Sequence, residues 1–151
     1  MIKMIKPIVN AAKVMDKYNT VILGLRGVIT DGKIIKPDVA DALKNMKKQG
    51  VRLVVLSNTF WRSESVIRFL HENKVPLAVF DAIVTAGEVM HYQLKAKSGE
   101  LGKIGNKYYR LGGKNYNGVF AGLPAYQEVD SLAQADFVYV ESVAHETDTV
   151  E

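Results

Sequence analysis

The sequence contains no cysteine, which excludes a disulfide framework, thiol catalysis and Cys-ligated zinc or iron–sulfur sites. No apolar run approaches the roughly 20 residues that a membrane span requires, so no membrane role is expected. The opening Met1-Ile2-Lys3-Met4-Ile5-Lys6-Pro7 has charges interrupting its apolar residues and lacks the apolar block of a secretion signal, making the cytoplasm the expected compartment. Histidine is scarce. His71, His91 and His145 are scattered without ligand spacing and read as surface or packing residues. A heavy excess of one charge is also missing: 20 basic against 16 acidic residues give +4 and a pI near 9.2, and Lys47-Lys48 is the only basic doublet. That balance favours anionic ligands but is not the footprint of a nucleic-acid binder. No internal repeat or low-complexity tract is present.

What remains is an ordinary globular composition, 48% hydrophobic and 24% charged. At 151 residues the chain reads as a single domain over 1–151, able to bury about 70% of its unfolded surface. Short β-branched runs alternate with stretches of helical spacing, the pattern of a parallel sheet covered by helices. The expected class is α/β: a Rossmann-like, three-layer α/β/α arrangement with a mainly parallel sheet. Residues 20–23 and 51–57 are too continuously apolar for a half-solvated sheet and read as central strands. Between them Pro37 is placed in a helix first turn, Asp38 and Asp41 suit its N-terminal dipole, and Val39, Leu43 and Met46 share one face before Gly50. Residues 63–73 form a second amphipathic pattern through Val66, Ile67, Phe69 and Leu70, and residues 81–84 a third strand. Thr85-Ala86-Gly87-Glu88 matches a capping box, with threonine hydroxyl and glutamate carboxylate satisfying helix-start amides reciprocally. Residues 107–111 and 137–140 read as two more strands, with a short helix near 131–135, and residues 98–105 as a connecting loop. A helix is expected over 8–18. Gly112-Gly113 lacks dinucleotide-fingerprint spacing and reads as a loop.

Chemistry concentrates after the first strand, where an open α/β sheet presents its ligand-binding residues. Gly24-Leu25-Arg26-Gly27 leads into Thr30-Asp31-Gly32-Lys33, whose Asp-Gly pair is a strong hairpin signal and implies a small flap over the strand end. Arg26 either contacts an anion, pairs with Asp31 or lies in solvent. Ser57-Asn58-Thr59, ending the second strand, either cradles a phosphate with hydroxyl and amide donors or ends the strand for turn reasons alone. Phe60-Trp61 either stacks on a ligand ring or packs beside a helix start. Asp130, Asp136, Glu141 and Glu146 lack the spacing of a metal loop.

In these segments the sequence resembles the haloacid dehalogenase-like superfamily, in particular its class IIA branch of small-molecule phosphatases, such as the nitrophenylphosphatase, phosphoglycolate and pyridoxal-phosphate phosphatases. Gly27-Val28 and Asp31-Gly32 fall in register with the first motif and its flap, and Leu56-Ser57-Asn58-Thr59 with the second motif. Ile83-Val84-Thr85-Ala86 resembles the branch's Ile-x-Thr-Ser segment, and residues 135–140 the strand preceding its inserted cap. The resemblance implies a half-core without the cap. It also implies a nucleophilic aspartate that helps hold Mg²⁺ and, two residues on, an acid–base carboxylate. In register this chain carries Gly24 and Arg26. Glycine has no side chain to attack with, and arginine stays protonated at any workable pH.

The resulting expectations are three. The first is a degenerate, truncated family member with no catalytic residue, no metal ligand and no cofactor, Mg²⁺ being implied by the family while its ligands are missing. The second is one half of a split phosphatase completed by another chain. The third is a metal-free module that binds phosphate or a phosphorylated small molecule through Arg26, Gly27, Ser57 and Asn58. An unpaired edge on the first strand also calls for a homo-oligomer partner, a complementing chain or the 8–18 helix to cover it.

Overall fold

Three of the β-branched runs become neighbours in one parallel sheet. The structure, a computed structural model, describes residues 17–112 and 118–140. Thr20–Gly24 (β1), Arg52–Ser57 (β2) and Ala82–Thr85 (β3) lie in the order β1-β2-β3, with Ile22 opposite Val54 and Leu56 opposite Val84. Val39–Lys48 (α1) and Ser63–Glu72 (α2) connect them. The strand order advances in one direction and such crossovers are right-handed, so both helices land on the same face. Leu43 of α1 and Val66 and Leu70 of α2 accordingly share one buried cluster with Leu23, Leu53 and Val55. Full burial of each such side chain contributes about 1.5–3 kcal/mol.

Strand alternation sends Ile22, Leu56 and Val84 to the opposite face, where they are 65%, 53% and 36% exposed. Coverage on both faces, expected from the continuously apolar runs, is therefore not found among the described residues. β1 has β2 as its only neighbour there, so among the described residues it stands at an edge of the sheet and not at its centre. The 8–18 helix expected to cover it lies almost wholly outside the described residues, as do Gly113, Glu141, His145 and Glu146.

Lys107–Leu111 (β4), Gln127–Val129 (β5) and Phe137–Val140 (β6) form a second parallel sheet in the order β5-β4-β6. The strands thus divide between two sheets, where the half-core reading placed them together. β5 escapes a hydrophobicity reading because two of its three residues, Gln127 and Glu128, are polar. Tyr108, Val119, Leu123 and Tyr139 bury with Leu94 in a second cluster. Here the Tyr108 and Phe120 rings stack at 3.9 Å and 7°. The Arg110 guanidinium sits 5.6 and 5.4 Å from the Tyr108 and Tyr139 ring centres and donates to the Glu128 carboxylate.

Helix starts depart from expectation in two places. α1 begins at Val39 after Asp38, which adopts a left-handed conformation (φ 60°) and makes no capping hydrogen bond; Pro37 therefore precedes the helix and does not occupy its first turn. At Ala86–Ala96 (α3) half of the capping box forms. Thr85 Oγ1 accepts from the Glu88 amide at 3.1 Å, but the Glu88 carboxylate does not reach back. It accepts instead from the Ser63 amide and from Nε and Nη2 of Arg62, each at 2.9 Å. Arg62 Nη1 in turn donates to the Gly118 carbonyl at 3.3 Å. The carboxylate is drawn away because a charge-assisted, two-pronged guanidinium contact outweighs one backbone amide.

α3 also comes close to the loop after β2. A Cβ on Gly87 would stand 2.0 Å from the Phe60 carbonyl oxygen and 2.8 Å from that of Trp61, so only glycine fits. The Gly87 amide donates to the Thr59 carbonyl at 3.1 Å.

Two outcomes follow from these contacts. Gly87→Ala must push backbone aside and is expected to cost about 2–3 kcal/mol, measured by urea denaturation; an unchanged midpoint would contradict the close approach. The hydrogen bonds from Arg62, and then the Ser63 amide, hold the Glu88 carboxyl below its ordinary value of 4.5 despite desolvation. A depressed folded-state value stabilises the fold at pH above the ordinary value, and that stability is lost as pH falls through the depressed one. Glu88→Gln is therefore expected to be less stable than the parent by about 2 kcal/mol near neutrality, with the gap closing in a denaturation series as pH falls through the depressed value.

Candidate anion-binding site

Parallel strands deliver their C-terminal ends to one side of the sheet, and β1 and β2 finish together, Gly24 opposite Leu56. The chain leaving β1 reverses at once. Thr30 bridges Arg26 on one side and Ile35 on the other, and the Lys36 amide donates to the Ile29 carbonyl at 3.0 Å. Asp31-Gly32 forms the turn as anticipated, although the two arms make isolated bridges and not a continuous hairpin ladder. Asp31 Oδ1 accepts from the Lys33 and Ile34 amides at 2.8 and 2.9 Å. The Ile34 amide, and after it Lys33, holds this exposed carboxyl below its ordinary value of 3.8. Asp31 is thus engaged within its own turn and has no ion pair with Arg26.

The Arg26 side chain lies instead against Gly32. A Cβ there would stand 3.2 Å from Arg26 Nε and 3.3 Å from Nη2, and Gly32 has φ +109°, so glycine is needed at this turn for both backbone and space. Among the described residues the Arg26 guanidinium has no hydrogen-bond or ion-pair partner, while Arg26 is exposed to solvent.

Arg26 opens onto a cleft of about 400 Å³ between the flap and the end of β2. Its polar lining is Arg26, Thr30, Ser57, Asn58 and Thr59; its apolar lining is Leu25, Phe60, Trp61 and Phe69, with Gly32 at the flap. Three residues singled out from the sequence, Arg26, Ser57 and Asn58, therefore meet in one cleft. Gly27 does not line it. Its amide donates to the Thr30 carbonyl at 2.6 Å and its carbonyl accepts from Lys36 Nζ, so its N–H is already committed within the flap. Ser57 Oγ accepts from the Thr59 amide at 3.2 Å and Thr59 Oγ1 from the Trp61 amide at 3.3 Å. Used as acceptors, both hydroxyls keep their own protons to donate.

Thr59, read from the sequence together with Ser57 and Asn58, lines the cleft beside them, and Thr30 joins from the flap segment. Phe69 is the lining residue that sequence reasoning placed only on a helix face. Phe69 comes from the helical face of α2 and meets Trp61 edge to face at 6.0 Å, a juxtaposition that has no local signature.

Among the described residues no carboxylate lines the cleft, and no three His, Asp or Glu side chains converge as a metal would need. His91 is buried with Nδ1 2.7 Å from the Val119 carbonyl, a packing role, and His71 lies in the last turn of α2. No described helix is long and apolar enough to cross a membrane.

Comparison with known proteins agrees with this architecture. No curated protein matches the sequence. Among solved structures, a hydrolase of the haloacid dehalogenase-like family from Brucella suis 1330 superposes with a TM-score of 0.72 at 19% identity, over 89% of this chain and 46% of that one. A hypothetical protein from Pyrococcus horikoshii OT3 gives 0.50 at 17% identity, over 72% of this chain and 40% of that one. At such identities the likeness is one of fold, and this chain spans less than half the length of either structure. The family model described as haloacid dehalogenase-like hydrolase matches residues 21–123, from β1 through both crossovers and into the second cluster as far as Leu123, and the chain belongs to that family.

Proposed function

We propose that the cleft binds phosphate or a phosphorylated small molecule without a metal, and that the chain's own residues do not carry out phosphotransfer. The carrying observation is Arg26: a guanidinium with no partner among the described residues, at the mouth of a cleft whose described lining holds three hydroxyl-bearing side chains, an amide and no acid. A guanidinium presents a fixed fork of donors to an anionic group, and hydroxyl and amide donors at the end of β2 complete its coordination. The resemblance aligns Gly24 and Arg26 with the two carboxylates that a class IIA phosphatase uses, which supports a site that attracts the anion directly and repels Mg²⁺. Asp31, the nearest acid in sequence, is a poor replacement nucleophile because its carboxylate is engaged by the Lys33 and Ile34 amides.

A second reading concerns partners. The apolar face formed by Ile22, Leu56 and Val84 and the edge of β1, unpaired among the described residues, favour a complementing chain, as in a split phosphatase, laid over this sheet. Sedimentation would reveal a stable complex with such a chain, and a monomer that fails to associate with any co-purifying polypeptide counts against it.

Calorimetry with inorganic phosphate tests the main reading. Binding is expected to be equal with Mg²⁺ and with EDTA, and Arg26→Ala is expected to weaken it by about ten-fold or more, the loss of one charge-assisted contact. No binding by the parent, undiminished affinity in Arg26→Ala, or Mg²⁺-dependent phosphatase activity of the purified chain would each overturn it. Gly24 provides an independent check. A Cβ there meets Val28 Cγ2 at 3.6 Å, an ordinary contact, so Gly24→Asp fits without strain. Its negative charge, two residues from Arg26, is expected to lower phosphate affinity several-fold in low salt and less so in high salt.

A further inference from the structure

The hydroxyl donors of the cleft sit on a loop that is tied down from outside it. Ser57 Oγ accepts from the Thr59 amide and Thr59 Oγ1 from the Trp61 amide, so the place of each hydroxyl depends on the backbone two residues further on. α3 fixes that backbone in the middle, where the Gly87 amide donates to the Thr59 carbonyl at 3.1 Å. Arg62 anchors its far end. The Arg62 carbonyl accepts from the Ser65 and Val66 amides as α2 begins. Its side chain is held on two sides, by the Glu88 carboxylate through Nε and Nη2 and by the Gly118 carbonyl through Nη1. Glu88 also binds the Ser63 amide, and both side chains of the pair are largely buried. Neither Arg62 nor Glu88 belongs to the described lining of the cleft.

Resting on the anion reading above, we infer that Arg62 and Glu88 are positioning residues of the anion site. The guanidinium–carboxylate pair holds the loop from Ser57 to Thr59 in the conformation that presents its donors to phosphate. Through the Gly118 carbonyl, the pair also makes that conformation depend on the segment that enters the second cluster at Val119. Donors ordered before the ligand arrives spare binding the cost of ordering them. A rigid fork spans Glu88 and Gly118 together, whereas the ammonium of a lysine is a point charge on a flexible stem.

Charge and position predict opposite signs for one substitution. Neutralising a carboxylate strengthens the attraction for an anion, so a purely electrostatic Glu88 would bind phosphate more tightly as Glu88→Gln. Inorganic phosphate is titrated by calorimetry in EDTA into the full chain and its variants, each shown by circular dichroism to be folded. Glu88→Gln, which keeps the shape, and Arg62→Lys, which keeps the charge, are each expected to weaken binding by about five-fold or more. Using one variant on each partner keeps the test decisive if the other does not fold. Gly118→Ala, whose Cβ would stand 2.8 Å from Arg62 Cγ, is expected to weaken binding as well, although residue 118 lies 56 positions along the chain from Arg62. Asp81→Asn is the control: it breaks an ion pair with Lys47 and a bond to the Leu53 amide at the opposite end of the sheet, and its phosphate affinity is expected to equal the parent's. If either Glu88→Gln or Arg62→Lys binds phosphate as tightly as the parent or more tightly, or if Asp81→Asn loses as much as they do, the pair does not position the donors and the anion site stands. Undiminished affinity in Gly118→Ala overturns the link to the second cluster. If the parent binds no phosphate, the anion site itself is wrong and the positioning role falls with it.

Discussion

The contact of the first turn of α3 with the loop after β2 is the constraint on which the rest of the site depends. At Gly87 the helix backbone touches the Phe60 and Trp61 carbonyls, and one residue later the Glu88 carboxylate grips Arg62 and the Ser63 amide. That single turn fixes where α2 begins and positions the aromatic wall of the cleft. Through Arg62 it also reaches Gly118 in the segment that leads to the second cluster. Both partners of the ion pair are about four-fifths buried, Arg62 at 21% and Glu88 at 18% exposure, so solvent screens the attraction less than at an open surface.

The cleft's charge follows from where its acids go. Asp31 is tied into the flap turn by two amides. Asp81 is taken up by Lys47 at 2.6 Å and the Leu53 amide at 2.8 Å, far from the strand ends. With these carboxylates committed elsewhere, the Arg26 guanidinium on the side of the sheet that displays Ser57 has no acidic partner among the described residues.

The strands of the fold were legible because β-branched runs bounded by turn residues have few other uses; residues 107–111 and 137–140 matched β4 and β6 end to end. What escaped was decided by contacts between segments distant in sequence. β5 has the polarity of a loop and is a strand because β4 offers it a ladder. Glu88 satisfies the spacing of a capping box, but a guanidinium 26 residues away competes for it. Of the cleft, Arg26, Ser57 and Asn58 could be found because they follow strand ends, where an α/β sheet concentrates ligand contacts. Gly27 shares that position but has its amide committed to Thr30, and Phe69 arrives from a helix face whose period marks it only as core.

The one-directional winding of β1, β2 and β3 has a further bearing on how the chain behaves in solution. Ile22, Leu56 and Val84 add nothing to the buried cluster beneath α1 and α2, since they point the other way. Polar residues at these places would leave that cluster intact and improve solubility. A fatty strip of this kind burdens an isolated molecule and becomes useful once something lies across it, so among the described residues the sheet has one finished side and one without a cover.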